Sequence, residues 1–153
     1  MTTLFDQNTT RRQLKLDSVL DFIFAGKATF TVRSKETGKH FTYKLVTPKK
    51  QDERRPVHFV KLLTGPDNDS SYTFFASIFD KQVYKHGRKT KITPEAPGVV
   101  AFTWLLRNLQ KGTVADRVEI FHEGICCRCG RKLTHPESIE SGIGPECSNR
   151  MGR

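Results

Sequence analysis

Apolar side chains recur along this chain in two rhythms, and the clearer one has a period of two residues. Ala28, Phe30 and Val32 alternate with Thr29, Thr31 and Arg33. After Lys35-Glu36-Thr37-Gly38-Lys39 the rhythm returns, with Phe41, Tyr43 and Leu45 alternating with Thr42 and Lys44. Strict alternation on both sides of a Gly-containing turn predicts a β-hairpin with one apolar face and one polar, cationic face. Val57–Leu63 and Tyr72–Phe79 are instead apolar on both sides, which predicts two strands placed centrally in a sheet. Thr64-Gly65-Pro66-Asp67-Asn68-Asp69 joins them, and its dense turn formers explain its acids as a connection rather than a cation site. Val83-Tyr84 predicts a short edge strand before the basic loop His86-Gly87-Arg88-Lys89.

The second rhythm is helical. Asp17 or Ser18 can cap a short helix over 17–25, in which Val19, Leu20, Phe22, Ile23 and Phe24 supply the apolar surface and Gly26 ends it. The main helix is expected over Pro97–Lys111, where Val99, Phe102, Leu106 and Leu109 form one stripe and Gly112 closes the end. Trp104 falls off that stripe and is expected on a second surface. These elements predict an α+β fold, an antiparallel sheet with one main packing helix over 17–117. Residues 1–16, with Arg11, Arg12 and Lys15, read as a flexible basic tail. Residues 118–153, entered through Val118-Glu119-Ile120-Phe121, read as a separate zinc-binding subdomain.

Composition narrows the class. The chain has 153 residues, 36% hydrophobic and 27% charged, enough for one domain with its own core and outside the disordered regime. No apolar run approaches the roughly 18 residues of a membrane span, and the first 17 residues hold no stretch of signal-peptide length. A soluble protein of a reducing, cytoplasmic compartment is therefore expected, where clustered cysteines read as metal ligands or redox groups rather than disulfides.

All four cysteines, Cys126, Cys127, Cys129 and Cys147, fall in the last 28 residues. Cys126 and Cys129 have the two-residue gap that lets both sulfurs reach one ion, and Gly130 permits the positive φ such a knuckle commonly needs. Cys147 is a suitable third ligand, placed by Pro145 in the first turn of a short helix whose N–H groups favour a thiolate. A structural zinc closes its shell with four ligands. His122, four residues before the knuckle, is the first choice for the fourth; Cys127 and His135 are the alternatives. No glutamate stands in an H-x-E or H-E-x-x-H context to act as a base on a metal-bound water. One structural Zn²⁺ is expected.

The segment with Cys126-x-x-Cys129-Gly130-Arg131-x-Leu133, Pro136-x-Ser138-Ile139 and Gly142-Ile143-Gly144-Pro145-x-Cys147 resembles an uncharacterised family of bacterial and bacteriophage proteins. Phe22-Ile23-x-Ala25-Gly26-Lys27-Ala28-Thr29-Phe30-Thr31, Thr37-Gly38-Lys39 and Thr64-Gly65-Pro66-Asp67-Asn68 are similar to its phage members. The resemblance implies a small treble-clef-like zinc segment at the C-terminus, with His122, Cys126, Cys129 and Cys147 in the ligand positions. It also implies a phage origin and the cytoplasm of a bacterial host. Cys127 departs from the pattern, in which a small residue commonly precedes the arginine. No biochemical activity comes with the resemblance.

Charge supplies the remaining clue. Lys and Arg number 26 against 16 Asp and Glu, a net charge of +10, which favours a polyanionic partner. Residues 27–61 hold Lys27, Arg33, Lys35, Lys39, Lys44, Lys49, Lys50, Arg54, Arg55 and Lys61 against three acids. Lys81, Lys85, Arg88, Lys89 and Lys91 form a second cluster. The polar side of the first hairpin is thus the expected phosphate-contacting surface, and Phe75, Phe79 and Tyr84 are candidates to stack on bases. No nucleophile elbow, phosphate-binding glycine loop or metalloprotease helix is present. The expectation is a non-enzymatic protein that binds nucleic acid or a nucleic-acid-bound machine. The alternative is a phage protein-interaction factor that inhibits a host defence or replication protein through an acidic surface of that protein.

Overall fold

The structure, a computed structural model, describes residues 13–14, 19–48, 56–65, 71–112, 117–123 and 125–127. Its frame is a six-stranded sheet, antiparallel throughout, in the order β5-β4-β3-β2-β1-β6. The strands are β1 (Lys27–Ser34), β2 (His40–Val46), β3 (Val57–Leu63), β4 (Tyr72–Phe79), β5 (Val83–His86) and β6 (Val118–His122). Two helices accompany them, α1 (Val19–Ile23) and α2 (Pro97–Lys111). The fold is α+β, as the two rhythms predict. α1 is shorter than expected, and positions 17 and 18, its expected caps, lie outside the described residues. β6 pairs with β1 from Phe30↔His122 to Ser34↔Val118, so the sheet continues past position 117 into the expected zinc segment.

β1 to β5 follow one another across the sheet, and α2 returns the chain from the β5 edge to β6 at the other. A 15-residue helix is about 22 Å long. Five strand spacings of about 4.8 Å make the sheet about 24 Å wide. One helix therefore suffices for the return. Pro97 sits at its first turn, where a missing N–H costs nothing. Gly112 ends it in the left-handed region at φ 68°, its N–H reaching the carbonyls of Asn108 and Leu109.

The core lies between α2 and one face of the sheet. Val99, Phe102, Leu105, Leu106 and Leu109 are buried there against Phe30, Tyr43, Leu45, Val60, Phe75 and Ile78. Phe102 is the hub, with ring centroids 5.2 Å from Tyr43, 5.8 Å from Phe75 and 6.3 Å from Tyr84. Trp104 does not face a second surface but packs, half-buried, against the rim of this core. Gly98 allows the close approach, because a Cβ there would meet Leu62 Cδ2 at 2.7 Å and Phe41 Cδ1 at 3.3 Å. The Tyr43 hydroxyl, fully buried, donates to the Gly98 carbonyl at 2.6 Å. Burial, and secondarily Tyr84, raises the Tyr43 pKa far above the ordinary tyrosine value, so it remains a donor.

A β-bulge in β4 sets which aromatics enter this core. The β3–β4 register passes from Val60↔Ala76 to Lys61↔Phe74, leaving Phe75 as the extra residue. Phe75 and Ala76 are both fully buried in consequence, and Phe74 is turned out to 37% exposure. Phe75 and half-buried Tyr84 therefore belong to the core and do not present faces to bases.

His58 is the one buried side chain of β3 with an unmet polar atom among the described residues. Its Nδ1 pairs with Thr47 Oγ1 at 2.6 Å, Phe24 lies over the ring at 4.8 Å, and Nε2 has no partner. Burial, and secondarily Lys81, holds its pKa below the ordinary histidine value.

Two stability measurements follow from this core. Tyr43→Phe leaves the Gly98 carbonyl without its side-chain donor and should cost about 1–2 kcal/mol, read as a lower urea midpoint at unchanged slope. For His58, the unfolded chain takes up the proton more readily than the folded one. Its contribution is therefore complete above about pH 6.5 and is lost as pH falls below that value. Urea midpoints at about pH 7.5 and 5.5 should differ more in the wild type than in His58→Gln; equal differences would rule His58 out.

Candidate functional site

The face of the sheet opposite α2 carries the side chains that alternate with the core positions. On β2 these include Thr42 and Lys44, on β3 Phe59, Lys61 and Leu63, on β4 Tyr72, Phe74 and Phe79, and on β5 Lys85. Lys44 and Lys61 stand directly opposite each other in the β2–β3 register. The Lys44 ammonium lies 4.5 Å from the Tyr72 ring centroid, and Phe59 meets Phe74 edge to face at 5.9 Å. Among the described residues neither lysine has a carboxylate within ion-pair distance. Lys85 is exposed on the edge strand, followed by exposed Arg88 and Lys89.

The β1–β6 end of the same face is different. Arg33 pairs with Glu119 at 2.7 Å and stacks over Phe121, 5.2 Å from its centroid. Thr42 and Thr31 hydroxyls lie 2.7 Å apart, and Thr31 donates onward to Glu123. Thr29 and Phe121 are 5% and 6% exposed, so this end is closed to large ligands. Alternation puts Thr29, Thr31 and Arg33 on the cationic surface, but Glu119 of β6 pairs with Arg33, Glu123 just beyond β6 accepts from Thr31, and Thr29 is buried. Lys27, Lys35 and Lys39 are exposed along or beyond β1. Lys49, Lys50, Arg54 and Arg55 lie outside the described residues. The structure thus brings together Lys44, Lys61 and Lys85 with Phe59, Tyr72 and Phe74. Of these aromatics the sequence singled out none, because β3 and β4 read as apolar on both sides.

Of the expected metal ligands, His122 and Cys126 are described, and Cys129, Cys147 and the alternative His135 lie outside the described residues. His122 is 1% exposed on the core face of β6, its ring 6.2 Å from Phe22. Cys126 is fully buried just beyond β6, and Cys127 is 3% exposed with its carbonyl accepting from the Lys27 N–H at 2.7 Å. A buried imidazole and a buried thiol on one short segment are donors of the type zinc takes, so the residues present fit that ion. Among the described residues no three His, Cys, Asp or Glu gather as a metal-holding group.

A cleft of about 450 Å³ opens beside α1, lined by Leu20, Asp21, Phe24, Lys81, Gln82 and Gln110. Its lining contains no nucleophile paired with a base. No helix of the described residues is long and apolar enough to cross a membrane.

The molecule is thus an α+β protein with one sheet face packed and part of the other carrying lysines and aromatics. Residues 117–152 match a family of unknown function (DUF6011). The match places β6 and the cysteine segment together in one domain type and leaves β1 to β5 and α2 outside it. The chain matches no curated protein and no solved structure.

Proposed function

We propose that the protein is a non-enzymatic nucleic-acid-binding protein of phage type whose C-terminal segment is held by one structural zinc. The observation that carries the reading is the Lys44↔Lys61 pair. Like charges directly opposite on neighbouring strands are destabilising, and no carboxylate among the described residues offsets them. A phosphate seated between the two ammonium groups removes that repulsion. Lys85, Arg88, Lys89 and the net charge of +10 extend the same field over the β5 edge. Arg33 is a weaker contributor than the sequence suggests, because Glu119 already holds it.

His122, Cys126, Cys129 and Cys147 would hold the zinc, which on binding would fix the segment after β6 by closing a four-ligand shell. The burial of His122 and Cys126 supports this. It gives the metal a structural role, since neither donor is open to a substrate.

Both parts have direct tests. Metal analysis of protein purified without chelator should return one zinc per chain. Cys129→Ser should lose it and lower the thermal midpoint, since structural zinc contributes on the order of 10 kcal/mol to such segments. His122→Ala should release more metal than His135→Ala or Cys127→Ser; the reverse order would reassign the fourth ligand. For the cationic face, log affinity for an oligonucleotide should fall linearly with log salt, with a slope of about −0.7 to −0.9 per phosphate. Lys44→Glu with Lys61→Glu should abolish binding at unchanged zinc content. Binding weaker than about 100 μM at low salt would remove nucleic acid and leave this face to an acidic protein surface.

A further inference from the structure

Resting on the nucleic-acid reading, we infer that the open face of β2, β3 and β4 is a stacking platform for unpaired bases, so that the occupant is a single-stranded polynucleotide rather than a duplex. The argument begins with the bulge in β4. By making Phe75 the unpaired residue it lets Phe75 and Ala76 both enter the core, while Phe74, in phase with Tyr72, faces outward at 37% exposure. Exposing a large aromatic face costs burial energy, yet Phe74 stands beside half-buried Phe59, 5.9 Å away, in an edge-to-face pair that leaves ring surface uncovered. Tyr72, two residues along β4, already accepts one cation, the Lys44 ammonium. Lys61 is directly opposite both Lys44 and Phe74. Aromatic faces and cations therefore stand side by side on three adjacent strands, within one or two strand spacings. That is the arrangement that stacks successive bases while neutralising the phosphates between them.

A duplex offers the wrong surface to this arrangement. Its base faces are closed in the stack, and its major groove admits a helix or a two-stranded ribbon, not the flat of a sheet. The longest helix of the described residues, α2, has its apolar stripe committed to the core, and only Arg107 and Lys111 add charge to its outer side. Sugar identity is not read here, because the Thr31 and Thr42 hydroxyls on this face are bonded to each other and to Glu123. The platform takes DNA and RNA strands alike.

The test is fluorescence anisotropy on the full chain at low salt. The probes are oligo-dT and oligo-rU of about ten nucleotides, within the usual span of such sites, a duplex of the same length, and a dT oligomer with central abasic positions. The two single strands should bind within about threefold of each other, and the duplex and abasic strand roughly tenfold or more weakly. Phe74→Ala, at an exposed position, should weaken dT binding by about five- to a hundredfold while leaving the abasic oligomer unaffected. A purely electrostatic site could not produce that difference. A duplex bound as tightly as oligo-dT, or equal loss of both oligomers in Phe74→Ala, would overturn the platform and leave nucleic-acid binding standing. A marked preference for either sugar would overturn the sugar-blind reading, and failure of every oligonucleotide would overturn the parent proposal.

Discussion

One helix can cover only one face of a six-stranded sheet, and that constraint governs the rest of this molecule. α2 carries its apolar stripe onto β1 to β5 and is anchored by the Tyr43 hydroxyl at the Gly98 carbonyl. Everything on the opposite face must be settled without it. The chain uses two solutions. At the β6 end, acids brought in by the last strand neutralise Arg33 and satisfy Thr31, and Phe121 is shielded beneath the guanidinium. At the β2–β4 end no such acids arrive among the described residues, and lysines share the surface with aromatics. The first solution makes a closed structural edge. The second sets lysines and aromatic rings against one another on an open surface.

The bulge in β4 turns that division into a particular surface. Strict alternation counted from Tyr72 puts Phe74 on the open face and Phe75 inside, whereas counted back from Phe79 it puts Phe75 on the open face. The insertion reconciles the two phases, so that Phe75 and Ala76 both face the core, where Phe75 meets Phe102 of α2, and both ends of β4 keep aromatics outside. Core packing at Phe75 and Ala76 and the return of Phe79 to the open face beside Phe74 thus share one backbone irregularity.

Much of this fold was legible in the sequence. Period-two alternation with a turn between specifies the first hairpin to within a residue at each end, and the stripe at 99, 102, 106 and 109 specifies α2, because local periodicity is what a half-buried element displays. What was not legible depends on which strands become neighbours. Nothing near Arg33 in sequence announces Glu119 or Glu123, since their contact is made by β6 arriving from the far side of α2. Nor could alternation place Phe74 and Phe75, because a run of adjacent apolar residues hides a one-residue shift in phase. The lysine pair had the same obstacle: residues 44 and 61 become partners only when the β2–β3 register is known. For the cysteine segment, the structure adds what spacing does not carry, the depth of Cys126 and His122.

Burial at that depth ties the C-terminal segment to the sheet. β6 pairs along five residues of β1, the Cys127 carbonyl takes the N–H of Lys27 at the start of β1, and Cys126 and Cys127 belong to the same apolar cluster as Phe22 and Phe30. A segment attached in this way cannot loosen without exposing part of the common core, so whatever orders it also stabilises β1. The cationic face is centred two strands away from β1, on β2 to β4, and meets β1 where Lys44 stands opposite Thr29. Order in the cysteine segment therefore reaches the proposed binding face through the stability of the sheet. A metal there would serve the face by holding its scaffold, which is the role that closed, buried donors permit.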